Sequence, residues 1–306
     1  MKGKLLWNLN WYFCEGFSDE RVKCGSTDGM EQIHLPHQVK TLTYNCFSHD
    51  DTQMISTYAK RFTLNAEEAA KRTLVEFDGV MTYFELYVNG HLAGSHKGGY
   101  SRARFEITPY VHEGENTLFV MVDSNERNDI PPFGCVIDYI TYGGIYRDVN
   151  LYLLEPVFMT DVLFRYDMTG ENTAEVYPEF YVDNAGPAFT GVIAVTVADR
   201  EGRELLSYSQ DVSVAAGCSH ITLDRRAVNG ITRWDPEDPH MYVVKAVLKK
   251  DAQELDTIED DIGFRTYECR ASFWSAWTAI SPIPTLVIPS ASVPSAPTPI
   301  SSSSMV

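Results

Sequence analysis

The chain has 306 residues, of which 22% are charged, and its formal net charge at pH 7 is −17. This length suits about two globular domains, and so acidic a surface repels the phosphates of nucleic acids and of anionic membranes. Residues 1–7 begin like a signal peptide, but Asn8 and Asn10 interrupt the apolar run. No later stretch of the sequence is long and apolar enough to span a bilayer. We therefore expect a cytoplasmic protein that binds neither nucleic acid nor membrane.

The cysteines are scattered and contain no Cys-x-x-Cys pair. The six positions are Cys14, Cys24, Cys46, Cys135, Cys218 and Cys269. Structural zinc sites usually draw their ligands from closely spaced pairs. We therefore expect free thiols, no metal site and no cofactor for this chain.

Strand patterns dominate the first half of the chain. Residues 74–78 and 84–88 alternate between apolar and polar side chains, as half-buried strands do. Asn89-Gly90 follows directly and favours a tight hairpin turn, because both central positions of a type I′ turn need positive φ. Further strand-like runs lie at 117–122 and 149–153. Short strands separated by turn signals predict a sandwich or jelly roll.

A second series of strands follows Pro156. Its members lie at residues 174–182, 190–197, 204–214, 220–223, 241–249 and 254–262. Strands at this rhythm over about 100 residues are typical of an immunoglobulin-like sandwich. We therefore predict a first domain over residues 1–155 and a second over 156–268.

The composition changes abruptly near residue 272. Residues 272–306 contain ten serines, six prolines and no charged residue. Prolines lack the amide hydrogen that helices and central strands need. We predict that 269–306 is a Ser/Pro-rich disordered tail that the protein does not need for folding.

Short segments of the first half follow one another in a characteristic order. They lie at residues 35–37, 58–62, 77–80, 88–90, 94–100, 105–110 and 138–149. Together they resemble the sugar-binding jelly roll of glycoside hydrolase family two, which includes β-galactosidases, β-glucuronidases and β-mannosidases. Residues 234–242 and 262–266 resemble the late strands and the exit of that family's immunoglobulin-like second domain.

The resemblance implies an all-β chain, with a galactose-binding-like jelly roll followed by an immunoglobulin-like sandwich. In the family a (β/α)8 barrel comes next and carries two glutamates, the acid/base and the nucleophile of a retaining hydrolysis. Such a barrel needs ~250 residues, far more than follow residue 268 here. We therefore expect a truncated, non-catalytic portion of a hydrolase of the β-galactosidase type, inactive alone. Whether the chain counts as an enzyme stays open.

The resemblance singles out Asp138 as the main substrate-binding candidate. It implies that this carboxylate reaches towards the barrel and contacts substrate hydroxyls, directly or, in a complete β-galactosidase, through a bound cation. A carboxylate can accept hydrogen bonds from two sugar hydroxyls, but a loop aspartate can also simply cap a turn. His37, Asn45, His96 and Tyr100 are weaker candidates for sugar contacts, and a structural role is the simpler interpretation of each.

Other residues near these segments are expected to support the fold. Arg147 is predicted to pair with a carboxylate, Gly143 and Gly144 to allow a tight turn, and Trp234 to anchor the core of the second sandwich. Asn125-Glu126 looks like the family's acid/base motif. It follows a jelly-roll strand rather than a barrel strand, and we expect no catalytic role.

Two other functions remain open. A free-standing carbohydrate-binding module would show an aromatic platform or a polar cleft on one face of the jelly roll. An assembly domain is the other alternative, since these sandwiches also build oligomer interfaces in the family, and a homo-oligomer would follow. The expected partner of the intact enzyme is a β-linked saccharide, and a galactoside fits better than a glucuronide because the chain is acidic. The Ser/Pro-rich tail favours truncation over both alternatives.

Overall fold

The computed structural model of the chain describes residues 3–44, 48–134, 139–251 and 253–266. Within these ranges the chain forms twenty strands and two short helices, α1 (Asp19–Cys24) and α2 (Ala66–Ala69). The predicted all-β class is confirmed. The contacts divide the chain into two units between Glu155 and Pro156. The predicted tail, 269–306, lies outside the described residues.

The first unit is a sandwich of two antiparallel sheets. One sheet has four strands in the order β1-β10-β5-β8, and the other has six in the order β3-β2-β4-β9-β6-β7. The inner faces of both sheets contribute to one hydrophobic core, as in a jelly roll. The strands are β1 (Lys4–Leu6), β2 (Trp11–Glu15), β3 (Glu31–Ile33), β4 (Ile55–Leu64), β5 (Arg72–Phe77), β6 (Tyr83–Val88), β7 (His91–Lys97), β8 (Ala103–Glu106), β9 (Gly114–Asp123) and β10 (Val149–Leu154).

Strand β6 shows how the sequence pattern places side chains in this core. Phe84, Leu86 and Val88 are buried, while the residues between them are only partly buried and face away from the core. Asn89 and Gly90 then join β6 to β7 with φ values of 48° and 82°. Both angles are positive, as a type I′ turn requires, and the predicted hairpin is confirmed.

The second unit is also built from antiparallel sheets around one core. Its sheets have the orders β11-β14-β17, β12-β13-β18 and β16-β15-β19-β20. The strands are β11 (Val157–Leu163), β12 (Tyr166–Met168), β13 (Thr173–Val176), β14 (Glu179–Asn184), β15 (Phe189–Asp199), β16 (Glu204–Val214), β17 (Gly217–Thr222), β18 (Arg226–Asn229), β19 (Tyr242–Lys250) and β20 (Gln253–Ile262).

One predicted strand of the second unit is wrong. Residues 174–182 form two strands in different sheets, β13 and β14, with Pro178 between them. A proline has no amide hydrogen to donate to a ladder, so the chain leaves one sheet there and joins the next.

The longer helix covers part of the outer face of the six-stranded sheet. The Ser18 side chain caps the start of α1 by accepting a hydrogen bond from the Arg21 amide. Val22 is the buried residue of the helix and packs in one cluster with Ala59 and Phe119. Among the described residues, no helix combines the length and apolar character needed to cross a membrane.

Candidate functional site

Residues 143–145, here called the glycine segment, are held to the first sandwich from two directions. The backbone amides of His37, Val39 and Met81 donate to the carbonyls of Ile145, Gly143 and Gly144, at 2.8, 3.0 and 3.0 Å respectively. All three carbonyls of the segment are therefore satisfied by the sandwich. This ordered segment begins five residues after Asp138, the main substrate-binding candidate.

Both glycines of this segment are required by the space around them. Gly144 has a φ of 109°, and an added Cβ would collide with the Tyr58 hydroxyl. Gly143 lies outside the left-handed region, but a Cβ there would lie 2.5 Å from the Ser124 hydroxyl and 2.6 Å from the Thr52 carbonyl. The predicted conformational role therefore fits Gly144, whereas at Gly143 close packing is the reason for glycine.

His37 lies beside this segment and is braced by its neighbours. Its Nδ1 is 2.9 Å from the hydroxyl of Tyr58, and its ring packs at 4.8 Å from that of Phe13. Burial lowers the pKa of His37, and the Glu31 carboxylate opposes this effect. Burial raises the pKa of Tyr58, and the nearby Ile145 backbone opposes this effect. The ring is thus fixed by Tyr58 and Phe13, and the sugar contact predicted for it stays a prediction.

His96 and Tyr100 differ in how accessible they are. The His96 Nε2 lies 2.9 Å from the Ser101 hydroxyl, and burial lowers the pKa of His96. Tyr100 is 47% exposed. Partial burial, and then a hydrogen bond with the phenol of Tyr139, raise the pKa of Tyr100. A ligand can therefore reach Tyr100 directly, whereas His96 is engaged with its neighbour.

Exposed aromatic side chains concentrate on the first unit. Tyr139 is 51% exposed and contacts Tyr100, and we call these two residues the tyrosine pair. Phe133 and Tyr142 are also exposed, and they lie within six residues of Tyr139 along the chain. Among the described residues of the second unit, Tyr181 is the sole large exposed aromatic. Tyr139 was not singled out from the sequence, although it follows Asp138 directly.

The pairing of Arg147 with a carboxylate stays a prediction. Among the described residues no carboxylate lies within ion-pair distance of it, and its guanidinium lies 5.4 Å from the ring centre of Tyr146. The side chain also packs against Gly79. The Tyr146 hydroxyl donates to the Gly99 carbonyl at 2.5 Å, which fixes the ring. Among the described residues, the aromatic face of Tyr146 is thus the partner of this cation.

Trp234 lies at the margin of the second core instead of in it. The side chain is only partly buried, and the Arg265 guanidinium lies 4.8 Å from its ring centre. Its backbone amide donates to the carbonyl of Phe264 at 2.8 Å. The fully buried positions nearby belong to Phe264 and Tyr242. Because those two rings fill the interior, Trp234 covers the edge against Gly263.

Glu126 closes a loop after β9. Its carboxylate accepts a hydrogen bond from the Gly134 amide at 2.6 Å, and its own amide donates to the Gln53 side chain at 3.3 Å. The carboxylate is therefore used within the loop, in keeping with the expected non-catalytic role.

Two of the predicted site residues, Asp138 and Asn45, lie outside the described residues. Their roles stay predictions. Within the described part of the chain, no group of three His, Cys, Asp or Glu side chains is arranged to hold a metal ion.

The two units correspond, in chain order, to a jelly-roll sandwich and an immunoglobulin-like sandwich. Residues 39–155 match the family model described as the sugar-binding domain of glycosyl hydrolases family 2. Residues 157–265 match the model described as glycosyl hydrolases family 2. The chain belongs to glycoside hydrolase family 2.

Known members of the family match this chain over most of its length. A β-galactosidase from Thermoanaerobacter pseudethanolicus is 34% identical over 270 residues, which cover 87% of this chain and 36% of that protein. A crystal structure of a putative β-galactosidase from Bacteroides fragilis has a TM-score of 0.76 and 27% identity, covering 87% of this chain and 41% of that one. A Bacteroides uniformis β-glucuronidase structure has a TM-score of 0.77 and 26% identity, covering 85% and 32%. The chain spans about a third of the length of these relatives.

Proposed function

We propose that residues 3–266 form the non-catalytic front part of a β-galactosidase-type hydrolase and do not hydrolyse glycosides by themselves. The observation that carries this proposal is the pair of family matches. Residues 39–155 match the sugar-binding model of the family, and residues 157–265 match the model that is described as glycosyl hydrolases family 2. In retaining glycosidases two carboxyl groups about 5–5.5 Å apart perform the reaction. The resemblance assigns both to the barrel, and neither to these two units.

Within this proposal the edge of the first sandwich near the glycine segment contributes to binding a β-linked galactoside. Asp138 supplies a carboxylate for sugar hydroxyls, and the tyrosine pair, of which Tyr139 follows Asp138 directly, supplies exposed rings. The glycine segment supports this edge, because the sandwich satisfies all three of its carbonyls. A galactoside is favoured over a glucuronide because the β-galactosidase relative is 34% identical. A cytoplasmic location and a homo-oligomer stay predictions.

A binding experiment tests the role of Asp138. Ligand-observed NMR with a methyl β-galactoside should show weak binding to the wild-type chain and a clear loss for Asp138→Asn, which removes the charge but keeps the shape. A methyl β-glucuronide should bind less well than the galactoside. Equal binding by wild type and variant, or no binding by either, would contradict the role of Asp138 in this chain.

A free-standing carbohydrate-binding module is a second candidate function. The exposure of Tyr100 and Tyr139 favours it, because aromatic side chains with one wet polar end are suited to ligand surfaces. The test replaces Tyr100 by alanine and uses Tyr181→Ala, an exposed tyrosine of the second unit, as the matched control. Loss of polysaccharide binding with Tyr100→Ala alone supports a module, and unchanged binding by both variants contradicts it.

A further inference from the structure

Strand β17 lies at one end of the sheet β11-β14-β17, and its outer side pairs with no strand among the described residues. Directly after β17, the Leu223 amide donates to the Pro178 carbonyl at 2.9 Å. Backbone groups in an antiparallel pair point alternately towards the partner strand and away from it. The register between β14 and β17 is unbroken, so Cys218, His220 and Thr222 direct their amides and carbonyls away from β14.

This edge lacks the usual protection of a free strand. A free edge is a template for pairing with another chain, and proteins blunt it with charges, proline, bulges or a very short strand. Strand β17 has six residues and contains no Asp, Glu, Lys, Arg or Pro, and its ladder with β14 has no bulge. Every other strand at the end of a described sheet contains at least one Asp, Glu, Lys or Arg; these strands are β1, β3, β7, β8, β11, β12, β16, β18 and β20.

The outer side chains of β17 are exposed and ordered. Cys218, His220 and Thr222 are exposed, whereas Ile221 packs against the core of the second unit. The His220 ring stacks on that of Tyr181 in β14, with ring centres 4.7 Å apart and planes 17° from parallel. The ring is therefore held in place on the open face of the sheet.

A second copy of β17 fits this edge. In an antiparallel pair with its two-fold axis at His220, Cys218 of one copy lies opposite Thr222 of the other. The outward amides and carbonyls of all three residues then find partners at once. No other register of the strand with itself aligns all three.

Charge favours the same occupant. The chain has a formal net charge of −17, so two copies repel each other wherever acidic surfaces meet. The β17 edge brings no Asp or Glu to the contact. The carboxylates of Glu179 and Asp183 lie one strand back, on β14, beside Thr222 and Cys218.

We infer that β17 is a homodimer interface, at which two copies of the chain pair edge to edge through Cys218, His220 and Thr222 in an antiparallel register centred on His220. The two three-stranded sheets then continue into one another across the two-fold axis. This inference does not depend on the proposed function, because it needs neither a sugar nor a barrel.

Sedimentation velocity of the full chain over a dilution series tests the interface. Wild type should show a reversible equilibrium between monomer and dimer. His220→Lys places two ammonium groups opposite each other at the axis and should raise the dimer dissociation constant roughly 5-fold. Ser209→Lys, at an exposed position of the edge strand β16, adds the same charge and should leave the constant unchanged. A chain that is monomeric throughout, or equal effects of the two variants, would overturn the inference.

Cross-linking of Thr222→Cys tests the register and does not depend on the folding of His220→Lys. Opposed residues of a hydrogen-bonded antiparallel pair have Cα atoms about 5.5 Å apart, within reach of a disulfide. Positions 218 and 222 of one strand are about 14 Å apart and cannot be linked within a copy. Mild oxidation should therefore give a covalent dimer of the variant.

Fragmentation mass spectrometry should place the link between Cys218 of one copy and the new thiol of the other. Wild type should form no link between the two Cys218 residues, because the register sets them about 14 Å apart as well. A link between the two Cys218 residues, or no covalent dimer of Thr222→Cys at concentrations where it dimerises, would overturn the inferred register.

Discussion

Gly144 is a residue of the first sandwich at which both the backbone conformation and the surrounding atoms exclude a side chain. It combines a φ of 109° with contact to the Tyr58 hydroxyl and the His37 carbonyl. Gly114 offers a matched control, with a φ of 95° and no atom within 4 Å of an added Cβ. Backbone strain alone costs about 1–2 kcal/mol, and we expect that loss for Gly114→Ala.

Gly144→Ala should lose at least about 2 kcal/mol more than Gly114→Ala, because a buried collision adds to the strain. Urea unfolding of the two variants measures the difference in free energy of unfolding. Equal losses of unfolding free energy in the two variants would show that the neighbours of Gly144 accommodate the added methyl group without a free-energy cost.

Lys60 carries a prediction about pH. The side chain is buried, its Nζ donates to the Leu9 carbonyl at 2.5 Å, and it lies 5.1 and 5.6 Å from the ring centres of Trp7 and Trp11. Burial lowers the pKa of Lys60 from 10.5 to about 8. Between these two values the unfolded chain binds more protons than the folded chain, so this residue makes the free energy of unfolding rise with pH.

Wild type and Lys60→Met contain the same tyrosines and cysteines. The difference between their free energies of unfolding therefore isolates the contribution of Lys60. The difference in free energy of unfolding between wild type and variant should move in favour of wild type as pH rises from 8 to 10.5. Urea unfolding at several pH values measures it. A difference in free energy of unfolding that stays constant with pH, or that moves in favour of the variant, would contradict a lowered pKa of Lys60.

At the scale of elements, a buried ion pair joins β5 to β8. The carboxylate of Glu76 is fully buried and accepts from Arg104 at 2.6 and 2.8 Å and from the Tyr152 hydroxyl at 2.8 Å. Removing one partner of such a pair leaves an uncompensated charge, which costs about 3–5 kcal/mol. We expect a loss of that size for Arg104→Ala, because this variant leaves the fully buried Glu76 carboxylate without its guanidinium.

The exposed pair of Arg200 and Asp261, 3.3 Å apart, provides the control. Exposed pairs contribute about 0–1 kcal/mol, so Asp261→Ala should have little effect. Chemical denaturation of both variants gives the two losses. An Arg104→Ala loss as small as that of Asp261→Ala would show that the β5–β8 pair does not stabilise the sandwich.

The strands were more predictable from sequence than the site. The β6–β7 hairpin follows from local alternation and from Asn89-Gly90, because both signals act over a few residues. The brace between Tyr58, His37 and Ile145 could not be predicted, since its members are distant in sequence and meet only through sheet register. Arg147 shows the same limit, because a charge pattern does not say whether a carboxylate or a ring lies beside a guanidinium.

At the scale of the whole molecule, the role of residues 269–306 stays a prediction. Residues 272–306 carry no charge and mostly small side chains, which offer little apolar surface to offset about 1–2 kcal/mol of backbone entropy per ordered residue. Deletion of 272–306 should therefore leave the melting temperature and the solubility unchanged. A clear loss of either would mean that Phe273, Trp274 and Trp277 cover apolar surface of the folded chain.

The central claim is that these two sandwiches do not hydrolyse glycosides without a barrel. Hydrolysis of an aryl β-galactoside by the purified chain tests it most directly, with a complete family β-galactosidase as positive control. The account predicts no turnover above the blank after a second purification. Turnover that persists at constant specific activity, and that disappears when Asn125 and Glu126 are both replaced by alanine, would contradict it.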